Sequence, residues 1–132
     1  MRLWNGWGNE DSDLTMELSD GLRSLLEALV GPGTALGQAT LNEVISKVPD
    51  TRLDDHPLIK TDPETRVRHA RGQSLPDWLE MHSGNVDTFP DGVAFPESSA
   101  QVRELLAHAK ENNLIVIPYG GGTSVVGHIN PE

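Results

Sequence analysis

The chain has 132 residues, enough for one ordinary domain or for a small one joined to part of another. Its formal charge of −10 and the lack of any Lys/Arg block argue against nucleic acid or an anionic membrane as a partner. The absence of cysteine excludes disulfides, thiolate metal sites and a cysteine nucleophile, and suits a reducing compartment. Hydrophobic residues at 36% and charged ones at 23% describe a globular protein, and 13 Gly with 9 Pro imply much loop.

The N-terminal Met1-Arg2-Leu3-Trp4-Asn5-Gly6-Trp7-Gly8 has no apolar run of signal-peptide length, and no later segment approaches a membrane span. A cytoplasmic protein is the expectation. Ser19 or Asp20 caps a helix whose Leu22, Leu25, Leu26, Leu29 and Val30 share one face, and Gly31-Pro32-Gly33 ends it. Thr40 and Glu43 have capping-box spacing before Leu41, Val44, Ile45 and Val48, which predicts a short second helix ending at Pro49. Residues 49–73 are polar, contain Pro49, Pro57 and Pro63, and read as an extended linker.

Ser74 opens a third helix with Pro76 in its first turn, and Ser83-Gly84 closes it. Then come Val93-Ala94-Phe95 as a strand, Ser98 to Gln101 as a capping box, a helix with Val102, Leu105, Leu106 and Ala109 on one stripe, and Leu114 to Ile117 as a second strand. Strand, helix and strand in that order predict a parallel crossover unit. The fold expected is α+β: a mainly helical region over 1–84, then an incomplete strand-helix-strand unit over 85–132.

The second strand empties into Pro118-Tyr119-Gly120-Gly121-Gly122-Thr123-Ser124. Three glycines let backbone N–H groups approach an anion, and Thr123 and Ser124 add hydroxyl donors. A Walker loop would need Lys and a Rossmann fingerprint a later glycine in register; both are missing. A mere Gly-rich turn is the competing reading, and the glycines alone do not decide between them.

Residues Ile115 to Gly127 resemble the pyrophosphate-binding loop of FAD-linked oxidases with the vanillyl-alcohol-oxidase (PCMH) type of flavin domain. Trp4 to Gly8, Arg66 to Gly72 and Asp91 to Pro96 resemble the alkylglycerone-phosphate synthase group of that family. The resemblance implies FAD as cofactor, Pro118, Tyr119, Gly120, Gly121, Gly122, Thr123 and Ser124 as its pyrophosphate loop, a small-molecule substrate, and room for a homodimer. It implies that the chain matches only the front of the family's enzyme, that catalytic residues lie beyond it, and that oxidation of a 2-hydroxy acid is an alternative to alkyl transfer. An acidic helical interaction module is the non-enzymatic alternative.

The five histidines, His56, His69, His82, His108 and His128, have no metal-ligand spacing. His69 with Arg66, Arg68 and Arg71 reads first as a solvated basic patch that balances nearby Asp and Glu and second as a group near a bound anion. Trp4, Trp7 and Trp78 are expected to pack as anchors.

Overall fold

The computed structural model describes residues 2–6, 8–11 and 17–131. Among the described residues five helices and one small sheet follow in chain order: α1 (Asp20–Val30), α2 (Leu41–Ile45), β1 (Ile59–Lys60), α3 (Pro63–Arg68), α4 (Leu75–Ser83), β2 (Val93–Ala94) and α5 (Ser99–Glu111). Local chemistry accounts for their ends. Ser19 accepts from the Leu22 N–H to start α1, and the Thr40–Glu43 pair forms a reciprocal box at α2. Ser74 and Asp77 do the same at α4, whose C-cap Gly84 takes φ +71°. At α5 the expected box is only half made: Ser98 accepts from Gln101 N–H, but the Gln101 side chain accepts from Glu97 N–H instead of the cap residue.

The linker expected over 49–73 is more structured than its prolines suggest. Asp62 accepts from Thr65 N–H and Pro63 occupies the first helical turn, so residues 63–68 become α3. This segment also supplies the core. Val44 from α2, Val67 and Ala70 at and after α3, Met81 from α4, and Val86 and Phe89 beyond it are buried together. Trp4 and Trp78 pack against that cluster, as expected of anchors; Trp7 lies outside the described residues.

The sheet differs from the expected crossover. β2 pairs antiparallel with β1, Ile59 opposite Ala94 and Lys60 opposite Val93. Leu114–Ile117 follows α5 as predicted but forms no ladder among the described residues, and Ile115 is 91% exposed. A four-residue apolar run becomes a strand only where a neighbour satisfies its backbone, and the chain that lies against β2 is β1. The apolar faces of α1 and α5 are likewise exposed, at Leu25, Leu29 and Val30 and at Val102 and Leu106.

Asp91 fastens the approach to β2. Its carboxylate receives the Arg52 Nε and Nη2 in a fork at 2.6–3.0 Å, and its carbonyl accepts from Thr51 Oγ1 at 2.8 Å. The hydrogen bonds from Arg52 hold the Asp91 carboxyl below the usual carboxylate range. A lowered pKa means the ionised form stabilises the fold. That contribution is complete above the unfolded value of about 3.9 and is lost as pH falls through the folded one. The drop in unfolding midpoint between pH 6 and pH 3 should therefore be smaller in Asp91→Asn than in the native chain; an equal drop would remove Asp91 from the acid response.

Candidate functional site

The glycine loop is held from three sides. Behind it, Tyr119 packs against His69 with the rings tilted at 58° and their centroids 4.8 Å apart, and His69 also meets Phe95 edge-on at 5.4 Å. The His69 Nδ1 lies 2.7 Å from the Thr65 carbonyl, which fixes the imidazole at the end of α3. Thus the first residue after Pro118 is braced by a residue 50 positions earlier.

Beneath the loop runs Gly72. A Cβ there would collide with the Ser124 carbonyl oxygen and come within 3.1 Å of Asp77 Oδ2, so the two backbones touch only because residue 72 is glycine. The Gln73 N–H donates to that same Ser124 carbonyl at 3.4 Å. Asn130 closes the far end. Its Oδ1 accepts from Gly72 N–H at 3.2 Å and its Nδ2 donates to the buried Asp77 carboxylate at 2.7 Å. Ser124, 8% exposed, places its Oγ 2.9 Å from His128 Nδ1.

In front of the loop stands an N-terminal hairpin, in which Arg2 bridges Asn9 antiparallel and Leu3 N–H donates to the Gly8 carbonyl at 3.0 Å. Arg2 Nη1 donates to the Gly121 carbonyl at 2.7 Å, and Nη2 lies 3.5 Å from that of Gly122. Hairpin and loop wall a cavity of about 240 Å³ with Gln73 at its side. A second, of about 170 Å³, lies between the hairpin, the end of α3 and Tyr119.

The loop's own backbone suits a phosphate group. Gly122 is buried at φ +67°, a left-handed conformation in which a Cβ would strike the Tyr119 ring. At Gly120 nothing lies within 4 Å of where a Cβ would be, and at Gly121 only Thr123 Cγ2 at 4.0 Å, so a ligand has room to approach the bare peptides. Pro118, Gly120, Gly121 and Thr123 are exposed, and Tyr119 is half-buried.

The basic patch is neither solvated nor free to take an anion. Arg66 is buried and donates to the carbonyls of Pro90 at 2.6 Å and Pro49 at 2.7 Å. Arg71 is buried too and meets Glu80, Asp87 and the Thr88 carbonyl. Arg68 pairs with Glu64 and Glu10. Prolines and loops leave carbonyls without ladder partners, and the guanidinium forks satisfy them. Among the described residues no group of three or more His, Asp or Glu could hold a metal ion.

Arg2, Gly72, Gln73, Asp77 and Asn130 were not singled out as site residues in the sequence. Only Gly72 carried a signal, as the end of the Arg66–Gly72 stretch. Contacts such as Arg2 with Gly121 span 119 residues and leave no local pattern.

Residues 90–131 match the model of a protein family described as an FAD binding domain. The chain resembles the FAD-linked oxidases built on that domain, and its cofactor is FAD. Its relatives include alkyldihydroxyacetonephosphate synthases. It is 37% identical over 73 residues to the one from Dictyostelium discoideum, covering 55% of this chain and 12% of that relative. A solved structure of alkyldihydroxyacetonephosphate synthase superposes over 99% of this chain and 29% of its own, with a TM-score of 0.73 and 25% identity. A mitochondrial D-lactate dehydrogenase [cytochrome] from Arabidopsis thaliana is 34% identical over 86 residues, 65% of this chain and 13% of that one. Protein Rv2250A of Mycobacterium tuberculosis is 32% identical over 103 residues, 70% of this chain and 68% of that protein. Over 98% of its length the chain matches the alkyldihydroxyacetonephosphate synthase of Caenorhabditis elegans at 28% identity and spans about a quarter of it, 26%. No helix among the described residues is long and apolar enough to cross a membrane.

Proposed function

We propose that residues 118–124 bind the pyrophosphate of FAD, and that the chain is the N-terminal part of a flavoenzyme resembling alkylglycerone-phosphate synthase. The observation that carries this reading is the open glycine loop, left-handed at Gly122, braced by Tyr119 on His69 and by the Gly72–Ser124 contact. A loop that must present N–H groups to a charged ligand has to be held before the ligand arrives, or ordering it would consume the binding energy. The match of 90–131 to an FAD binding domain supports the choice of anion. In this reading residues 85–132 begin the flavin domain and residues 1–84 supply its support. No residue of the chain is assigned to the reaction itself, and the enzyme is cytoplasmic with a small-molecule substrate.

A second reading, an FAD-linked oxidoreductase of a 2-hydroxy acid, is favoured by the likeness to D-lactate dehydrogenase. Both readings use the loop in the same way.

Amide chemical shifts in the 132-residue chain test the loop's role. Binding is expected to be weak, with a Kd of roughly 1 mM, because the loop forms one side of a cofactor site. FAD should shift the amides of Gly120 to Ser124, and riboflavin, which lacks the pyrophosphate, should not. Equal shifts with both ligands, or none with either at millimolar concentration, would overturn the proposal.

A further inference from the structure

We propose that the hairpin Arg2–Asn9 is a clasp on the glycine loop and that Arg2 is a positioning residue that aims the loop's N–H groups. This rests on the loop being the anion site described above. In a planar trans peptide the carbonyl of one residue and the N–H of the next point in opposite directions. Holding the carbonyl of Gly121 therefore fixes the N–H of Gly122, and holding that of Gly122 fixes the N–H of Thr123. Arg2 touches both carbonyls from the hairpin side. The two N–H groups are thereby turned to the opposite side of the loop.

Glycine makes this assistance necessary. Without a Cβ, Gly121 and Gly122 can flip their shared peptide at little cost, and a flipped peptide would show an anion its carbonyl. A guanidinium is suited to prevent the flip, because its rigid fork carries several donors and no acceptor. Arg68 and Arg71 line the neighbouring cavity but are each paired with two carboxylates and donate to carbonyls outside the glycine loop. Arg2 meets backbone oxygens.

The clasp is anchored independently of the loop. Arg68 Nη1 donates to the Arg2 carbonyl at 3.0 Å while its Nη2 reaches Glu10 Oε1 at 3.1 Å, tying both ends of the hairpin to α3. Trp4 packs on the hydrophobic core between them. Gly6 is buried in the turn. Arg2 is thus delivered to the loop from a base that stays in place when its side chain is changed.

Backbone amide relaxation measured without ligand in the 132-residue chain separates the clasp from the cofactor reading. In the native chain the order parameters of Gly121, Gly122 and Thr123 should lie near 0.85, the value of rigid backbone, and in Arg2→Ala below about 0.6. Arg2→Lys, with one compact ammonium in place of a fork, should fall between the two. Val67 and Ala70 should be unchanged in every variant, which establishes that the core is intact. Order parameters that do not fall in Arg2→Ala, or that fall equally at Val67 and Ala70, would overturn the clasp even where FAD shifts the loop. A selective fall without any FAD response would leave the clasp standing and remove the cofactor reading.

Discussion

Arg66→Ala should destabilise the chain by about 3 kcal/mol, seen as a lower urea midpoint at unchanged slope. Arg66 is only 2% exposed and is one of the two largest fully buried side chains. Burial pushes its guanidinium pKa down, yet a guanidinium begins so high that it stays charged. Its two hydrogen bonds join the start of the linker, at Pro49, to the chain just before β2, at Pro90. Truncation would leave a cavity beside Val67 and strip two partly buried carbonyls of their donors, each worth about 1–3 kcal/mol if left unsatisfied. Arg66→Met tests which part dominates. It keeps most of the volume but none of the donors, so a loss close to that of Ala would assign the effect to the carbonyls, and a nearly native midpoint would assign it to packing. Since small domains have only about 5–15 kcal/mol in total, the Ala variant should be partly unfolded well below native denaturant midpoints.

Arg66 also illustrates how much of this molecule was legible from sequence. The helices were readable because caps and apolar spacing are local: Ser19, Thr40–Glu43 and Ser74–Asp77 each act within three residues. The segment was readable as a loop because three consecutive glycines favour neither helix nor strand, while its role was not decided by the glycines. What could not be read was long-range partnership. A run of three arginines and a histidine within six residues resembles a solvated patch unless one knows that Pro49, Pro90 and Thr88 present carbonyls to it. The same gap explains the sheet. Val93–Ala94 was readable as a strand, but nothing local distinguishes pairing with Ile59–Lys60 from pairing with Leu114–Ile117, since all are short apolar-containing runs. α3 was hidden because Pro63 reads as a breaker, whereas after the capping Asp62 it starts a helix.

Gly72→Ala should have its largest effect on the site. The added methyl would meet the Ser124 carbonyl and Cβ and the Asp77 carboxylate, and two of those atoms are too constrained to yield. Ser124 is held by its neighbours in the loop, while Asp77 is fixed by the Ser74 hydroxyl at 2.6 Å and by Asn130 at 2.7 Å. Relief requires the loop to lift from residues 72–73, breaking the Gln73–Ser124 and Gly72–Asn130 hydrogen bonds. Overpacking of this kind costs about 1–3 kcal/mol, and the loss should be concentrated in the loop because the atoms the methyl meets belong to Ser124 and Asp77, outside the core cluster. Hydrogen exchange should accordingly accelerate at Gly122 to Asn130 by more than at Val67, Ala70 or Met81, and any FAD-induced shift of the loop amides should shrink at least tenfold in apparent affinity. Gly31→Ala is the control. That glycine also has a positive φ, +88°, but nothing lies within 4 Å of its missing Cβ, so its substitution strains the end of α1 without reaching the loop. Equal behaviour of the two variants at Gly122 to Asn130 would mean that the close backbone approach at residue 72 does not hold the loop, and would leave that role to Tyr119 on His69 and to Arg2.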